Sequence, residues 1–111
     1  MFTVRIDDVF AMRSRGMVLA GSVQKGRVAA GDRAILRTPS AAIATVVAGV
    51  EQERKAVRSA SAGEKVALLI RWIDPDELRD GLEPGQGTPG EWRVVALEVV
   101  NVPRRWWQVW R

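Results

Sequence analysis

Residues 4–7 alternate between apolar and polar with the period of two of a half-buried β-strand, several later segments are short apolar runs, and turn residues separate them at short intervals. The pattern predicts strands over residues 4–7, 17–23, 33–37, 41–50, 65–71 and 92–102. Turn signals at residues 24–26, 30–32 and 59–63 separate several of them. The alanines in residues 41–50 also suit a helix, but the β-branched residues there favour a strand.

One segment has a helical signature. Residues 74–81 predict a single helical turn, with Asp74 as the N-cap and Pro75 at the first helical position. A Gly/Pro loop is predicted over residues 83–91. Six or seven strands at this spacing indicate an all-β fold, either a closed antiparallel β-barrel or a sandwich. Closure is favoured because it removes exposed strand edges.

Composition is that of one ordinary globular domain of 111 residues, with 47% hydrophobic and 27% charged residues. No apolar run is long enough to span a membrane, and the N-terminus lacks the features of a signal peptide. Because cysteine is absent, we expect neither a disulfide framework nor a thiolate metal site. A cytoplasmic location follows as the default expectation.

The net charge of +4 is unevenly distributed. Residues 1–40 hold seven Lys/Arg and three Asp/Glu, and residues 92–111 hold four Arg and one Glu. Residues 71–91 hold two Lys/Arg and six Asp/Glu. Two basic ends around an acidic loop indicate an anionic partner, and a solvated surface of mixed charge is the alternative interpretation.

Several catalytic classes are disfavoured. The chain has no histidine, so the usual nucleophile and base pairs cannot be assembled, and it has no P-loop for a nucleotide phosphate. Glu51 and Glu53 are two apart and could share one strand face as an acid and a base. The alternative is that they are solvated glutamates beside Arg54 and Lys55. We therefore expect a protein that is not an enzyme, with no cofactor, no metal and no GTP binding.

An ordered set of motifs runs through residues 2–82. In order along the chain they are Asp8-Val9-Phe10, Arg15-Gly16-x-Val18, Gly21-x-Val23-x-x-Gly26, Gly31-Asp32, Val50-Glu51-x-x-Arg54-Lys55, Ala62-Gly63 and Leu68-Leu69-Ile70-Arg71. This set resembles the second domain of elongation factor Tu and related translational GTPases. The resemblance implies a small antiparallel β-barrel. Since the chain runs from Met1 to Arg111, we expect the barrel to stand without the GTPase domain.

The same resemblance implies two binding residues. In elongation factor Tu this barrel helps to hold the aminoacylated 3′ end of tRNA. The matching positions are Glu51, which would meet the terminal adenosine, and Arg54, which would lie near the aminoacyl ester. Glu53 and Lys65 depart from the family pattern, and a lysine ammonium would repel a protonated α-amino group. These departures predict that a pocket specific for the aminoacyl group is degraded, and they leave binding of RNA or of a protein open.

The C-terminal tail after residue 102 combines tryptophan with arginine. Tryptophan stacks on bases and arginine pairs with phosphate, so the tail is a candidate RNA or protein contact. Trp107 and Trp110 could instead share one face of a short helix and pack on a barrel end. Weak attachment to a membrane interface is a third interpretation, but we expect no membrane partner.

The leading hypothesis is a non-catalytic module that binds RNA, such as tRNA, or a ribosome-associated protein. The alternative is a protein-interaction module that docks through the tail or a strand edge. Residues 1–111 form one domain, in which residues 92–111 supply the final strand and the tail. The candidate binding residues are Arg13, Arg15, Glu51, Arg54, Lys65, Arg104, Arg105, Trp106, Trp107 and Trp110.

Overall fold

A long antiparallel hairpin forms the centre of the fold, from β1 (Phe2–Met12) and β2 (Gly16–Ala29). The computed structural model describes residues 1–12, 16–84 and 91–102. The other strands in these residues are β3 (Arg33–Arg37), β4 (Ala42–Val46), β5 (Gly49–Gln52), β6 (Lys55–Val57), β7 (Ser59–Ser61), β8 (Lys65–Ile70), β9 (Leu82–Pro84), β10 (Glu91–Val94) and β11 (Glu98–Asn101). The sheet order is β4-β3-β11-β1-β2-β8-β5-β6. In addition, β10 pairs with β1 and β9, and β7 pairs with β2. The chain is all-β with antiparallel pairing, as predicted.

The alternation of residues 4–7 stops at Asp7 because β1 contains a β-bulge there. The register passes from Ile6 opposite Gly21 to Asp8 opposite Ala20, which leaves Asp7 as the extra residue. The buried positions accordingly change parity, since Ile6 is buried and the next buried residue is Val9. The bulge keeps both halves of β1 facing one core. It also places Asp7 and Asp8 side by side on the strand.

The turn predicted at residues 24–26 is wrong, because β2 continues through them to Ala29. Gly26 has a φ of +68°, and the register shifts by one residue between Thr3 and Val4. These two features let the strand bend without ending. Beyond the bend β2 pairs with β7. Residues 59–61 of the turn predicted over residues 59–63 are therefore strand.

The single strand predicted over residues 41–50 is divided between β4 and β5. At the junction the Val47 N–H donates to Asp32 O at 2.9 Å, while the Ala48 N–H donates to Leu69 O at 2.8 Å. The chain therefore leaves the side of β3 and joins β8 within two residues. No local sequence signal marks this change of partner.

The final strand predicted over residues 92–102 is also divided, into β10 and β11. Val95 and Ala96 both donate their N–H groups to Gly81 O, at 2.8 and 3.1 Å, which draws the chain away from β1 between the two strands. Such divisions give eleven strands within the described residues, where the pattern predicted six or seven. Part of the loop predicted over residues 83–91 is strand as well, in β9 and at the start of β10, and its residues 85–90 lie outside the described part.

Two local predictions are confirmed. The strand over residues 33–37 is β3, and the turn before it is at Ala30 and Gly31. A short 3-10 helix spans Pro75–Leu78, with Asp74 as its N-cap accepting a hydrogen bond from the Asp76 N–H at 3.0 Å. Its buried residue, Leu78, belongs to the apolar core that the described strands share.

Closure of the barrel is not confirmed. Among residues 1–12, 16–84 and 91–102, the ladder of paired strands runs from β4 to β6 and does not return to its start. The described residues also contain no helix with the length and apolar character needed to cross a bilayer.

Candidate functional site

Glu53 and Arg54 form the two-residue turn between β5 and β6, where Gln52 pairs with Lys55. Their φ angles are +52° and +66°. Positive φ at both central positions defines a type I′ turn, for which Asn-Gly is the preferred sequence. Because neither residue is glycine or asparagine, the turn holds two side chains in a conformation that costs each about 1 kcal/mol or more. Backbone strain of this kind is concentrated at functional sites, so the turn is a candidate.

We expect Glu53→Asn with Arg54→Gly to raise the free energy of unfolding by about 1 kcal/mol, since Asn-Gly relieves the left-handed strain and the added glycine offsets part of the gain. Urea denaturation measures this change. Glu53→Gln with Arg54→Lys is the matched control, because it keeps the same backbone demand and should leave stability near wild type. An Asn-Gly variant no more stable than this control would contradict the type I′ assignment.

The turn borders a groove of about 350 Å³ on the outer face of the sheet. One row of cross-strand neighbours forms its base, with Asp8 opposite Ala20, Ala20 opposite Ala67, and Ala67 opposite Glu51. The two alanines leave space between the acidic residues at the ends of the row. Three strand spacings separate the main chains of Asp8 and Glu51, or about 14 Å. The full lining is Asp7, Asp8, Ala20, Gly21, Glu51, Gln52, Glu53, Arg54, Lys65, Val66 and Ala67.

Lys65 is the first residue of β8, and hydrogen bonds hold the chain on both sides of it. The Gln52 side chain donates from Nε2 to Lys65 O at 3.3 Å. The Glu64 carboxylate accepts the Ser61 N–H at 2.6 Å. This bond is the main reason that the pKa of Glu64 lies below its usual value, and bonding to Gln52 and the charge of Arg27 lower it further. The start of β8 is thereby tied to β5 and to the end of β7.

The lining of the groove is acidic, whereas the charge distribution along the sequence indicated an anionic partner. Its lining contains four carboxylates, Asp7, Asp8, Glu51 and Glu53, and two cations, Arg54 and Lys65, which gives a net charge of −2. Arg5 lies 3.4 Å from Asp7 and offsets part of this charge. A chain of phosphates would therefore be repelled here, whereas a single terminal nucleoside with one phosphate is compatible with the mixture.

An apolar row lies beside the groove on the same outer face. Phe10 is opposite Val18, and Val18 is opposite Leu69. Phe10 remains 39% exposed, and it lies two residues from Asp8 along β1. An exposed aromatic ring at this distance from a groove can stack against a planar group whose polar part enters the groove.

Three of the predicted binding residues, Glu51, Arg54 and Lys65, are brought together in this groove. The remaining predicted residues lie outside the described part of the chain: Arg13, Arg15, Arg104, Arg105, Trp106, Trp107 and Trp110. Sequence reasoning missed Asp7, Asp8 and Phe10. A signal for the first two was the adjacent acids that interrupt the alternation of β1. No protein-family model matches this chain.

Proposed function

We propose that this protein is a non-catalytic binding module of the translation-factor second-domain type, and that it binds the 3′-terminal nucleoside of an RNA such as tRNA. The shared groove of Glu51, Arg54 and Lys65 is the observation that carries the proposal. The Glu51 carboxylate accepts hydrogen bonds from the ribose hydroxyls, and Arg54 and Lys65 contact the adjoining phosphate. Phe10 offers a stacking surface for the base.

The proposal includes closure of the sheet into a barrel. Two contacts near the ends of the strand order support it. The Ala48 N–H, just after β4, bonds to Leu69 O of β8, and the Arg71 side chain donates from Nη2 to Ala44 O of β4 at 3.3 Å. Both contacts draw β4 towards β8, and one continuous apolar core lies between them.

A titration of labelled single-stranded RNA tests the function. We expect Glu51→Gln to weaken binding of RNA with an intact 3′ ribose by about tenfold, because the charged acceptor of the hydroxyls is lost. Wild type should also prefer intact RNA to the same RNA after periodate oxidation, which destroys the terminal diol. Glu77→Gln, an exposed acid in the 3-10 helix, is the matched control. Equal binding of intact and oxidised RNA by wild type would reject the terminal-nucleoside role.

A second candidate function is docking of a protein partner on a strand edge. Strand β4 lies at one end of the sheet order and carries no charged residue, and its Val46 side chain is 45% exposed. Uncharged edge strands are templates for pairing with another chain. Nuclease-resistant binding of one purified partner that is lost in Val46→Lys would favour this function. Binding unaffected by that change would exclude the edge of β4.

A further inference from the structure

A second groove, of about 560 Å³, lies at the end of the molecule where β1 begins and β11 ends. Arg27 of β2 and Arg33 of β3 line it, together with Phe2, Asp32 and Asn101. Both arginines are exposed. None of these residues lines the first groove, so the two surfaces are distinct.

Two further exposed cations are close to the lining residues of the second groove, one along the chain and one through a main-chain hydrogen bond. Lys25 is exposed and precedes Arg27 by two residues on β2. Arg58 is also exposed, and its main-chain oxygen accepts the Ala30 N–H at 3.2 Å, next to the turn that leads into β3. We call Lys25, Arg27, Arg33 and Arg58 the basic surface.

Two carboxylates beside the basic surface accept hydrogen bonds within local turns. Asp32 accepts the Ala29 N–H at 2.9 Å, and Glu64, whose charge acts on Arg27, accepts the Ser61 N–H at 2.6 Å. The side chains that line the second groove carry a net charge of +1, and Lys25, Arg58 and Glu64 beside them bring it to +2. The side chains that line the first groove carry −2, or −1 when Arg5 beside Asp7 is included. A polyanion is therefore attracted to the basic surface and is repelled by the first groove.

We propose that the basic surface binds internal phosphates of the same RNA whose 3′ end enters the first groove. The inference rests on the proposed function for the identity of the ligand. Strand β2 connects the surfaces, because Gly21 lines the first groove and Lys25 lies four residues later, about 13 Å along the strand. Arginine guanidinium groups bind phosphate oxygens with paired hydrogen bonds. The terminal nucleoside thus binds the acidic first groove, and the phosphates that precede it in the RNA bind the basic surface.

The salt dependence of RNA binding tests this inference. Each single-strand phosphate contact contributes about −0.7 to the slope of log K against log salt concentration. We expect Arg27→Ala with Arg58→Ala to make the slope about 1.4 units shallower and to weaken binding about tenfold. Arg71→Ala with Arg79→Ala removes the same charge from exposed residues that line neither groove and should change both quantities little. Thermal denaturation of each variant verifies that it is folded.

The outcomes separate this inference from the proposed function. If the basic surface binds internal phosphates, its variant loses affinity equally for intact and periodate-oxidised RNA and keeps its preference for the intact end. If this variant retains the wild-type slope while Glu51→Gln still abolishes that preference, the inference fails and the proposed function stands. Wild type that binds no RNA at low salt overturns both. Competition by poly-glutamate as effective as by RNA would also overturn the inference, since it would show a surface for acidic polypeptides.

Discussion

Replacing Gly21 by alanine is expected to lower the free energy of unfolding by about 3 kcal/mol, as measured by urea denaturation. A Cβ built on Gly21 would lie 1.8 Å from Arg5 O and 2.9 Å from Ile6 Cα. Both are main-chain atoms of β1, so no change of rotamer relieves the overlap. The two central strands would have to separate beside the bulge, and this would also disturb the base of the first groove.

Gly63→Ala is the matched control for this prediction. Gly63 has a φ of +92°, yet a Cβ there would meet no atom within 4 Å. The free energy of unfolding of the control variant should therefore fall only by the cost of an alanine in the left-handed backbone conformation, about 1 to 2 kcal/mol. A loss at Gly21 no greater than the loss at Gly63 would contradict the close approach of β1 and β2.

Leu68→Ala is expected to lower the free energy of unfolding by about 3 kcal/mol, the second large effect. Leu68 lies in β8 with none of its surface exposed and belongs to the apolar core. Truncation of a buried leucine removes its transfer free energy and leaves a cavity. Denaturant titration, with the slope checked against wild type, gives the change.

The neighbouring Leu69 provides the comparison. It is partly buried on the outer face, in the row with Phe10 and Val18, and we expect Leu69→Ala to cost about 1 kcal/mol. The contrast between adjacent leucines depends only on which face of β8 points to the core. Equal losses, or a larger loss at Leu69, would show that the register of β8 on β2 is wrong.

The predicted elements that the structure confirms are those with a local cause. Strand β3 has three consecutive apolar residues between two arginines, and Asp74 with Pro75 starts the 3-10 helix from its own capping group. The predictions that are wrong depend on distant partners. The division after Val46 arises because Val47 bonds to Asp32 while Ala48 bonds to Leu69, and neither partner can be identified from a local pattern.

In the candidate site, too, the sequence could not identify the residues that distant strands contribute. Glu51 and Arg54 were proposed from motifs, and the two-residue turn that holds Arg54 is a local feature. The acidic character of the groove arises from β1, which is separated from β5 in the sheet by β2 and β8. Asp7 and Asp8 could not be assigned to the same groove as Glu51 without that strand order. Their presence disfavours a run of phosphates in the groove and is compatible with the terminal nucleoside that the motifs led us to expect at Glu51.

The most direct test of the central claim is an NMR titration of the isotope-labelled protein with a short RNA that has an intact 3′ ribose. We predict that the largest amide shifts occur at groove residues, including Gln52, Lys65 and Ala67, and that they diminish when the terminal diol has been oxidised. Unchanged amides in the groove at saturating RNA would contradict the account.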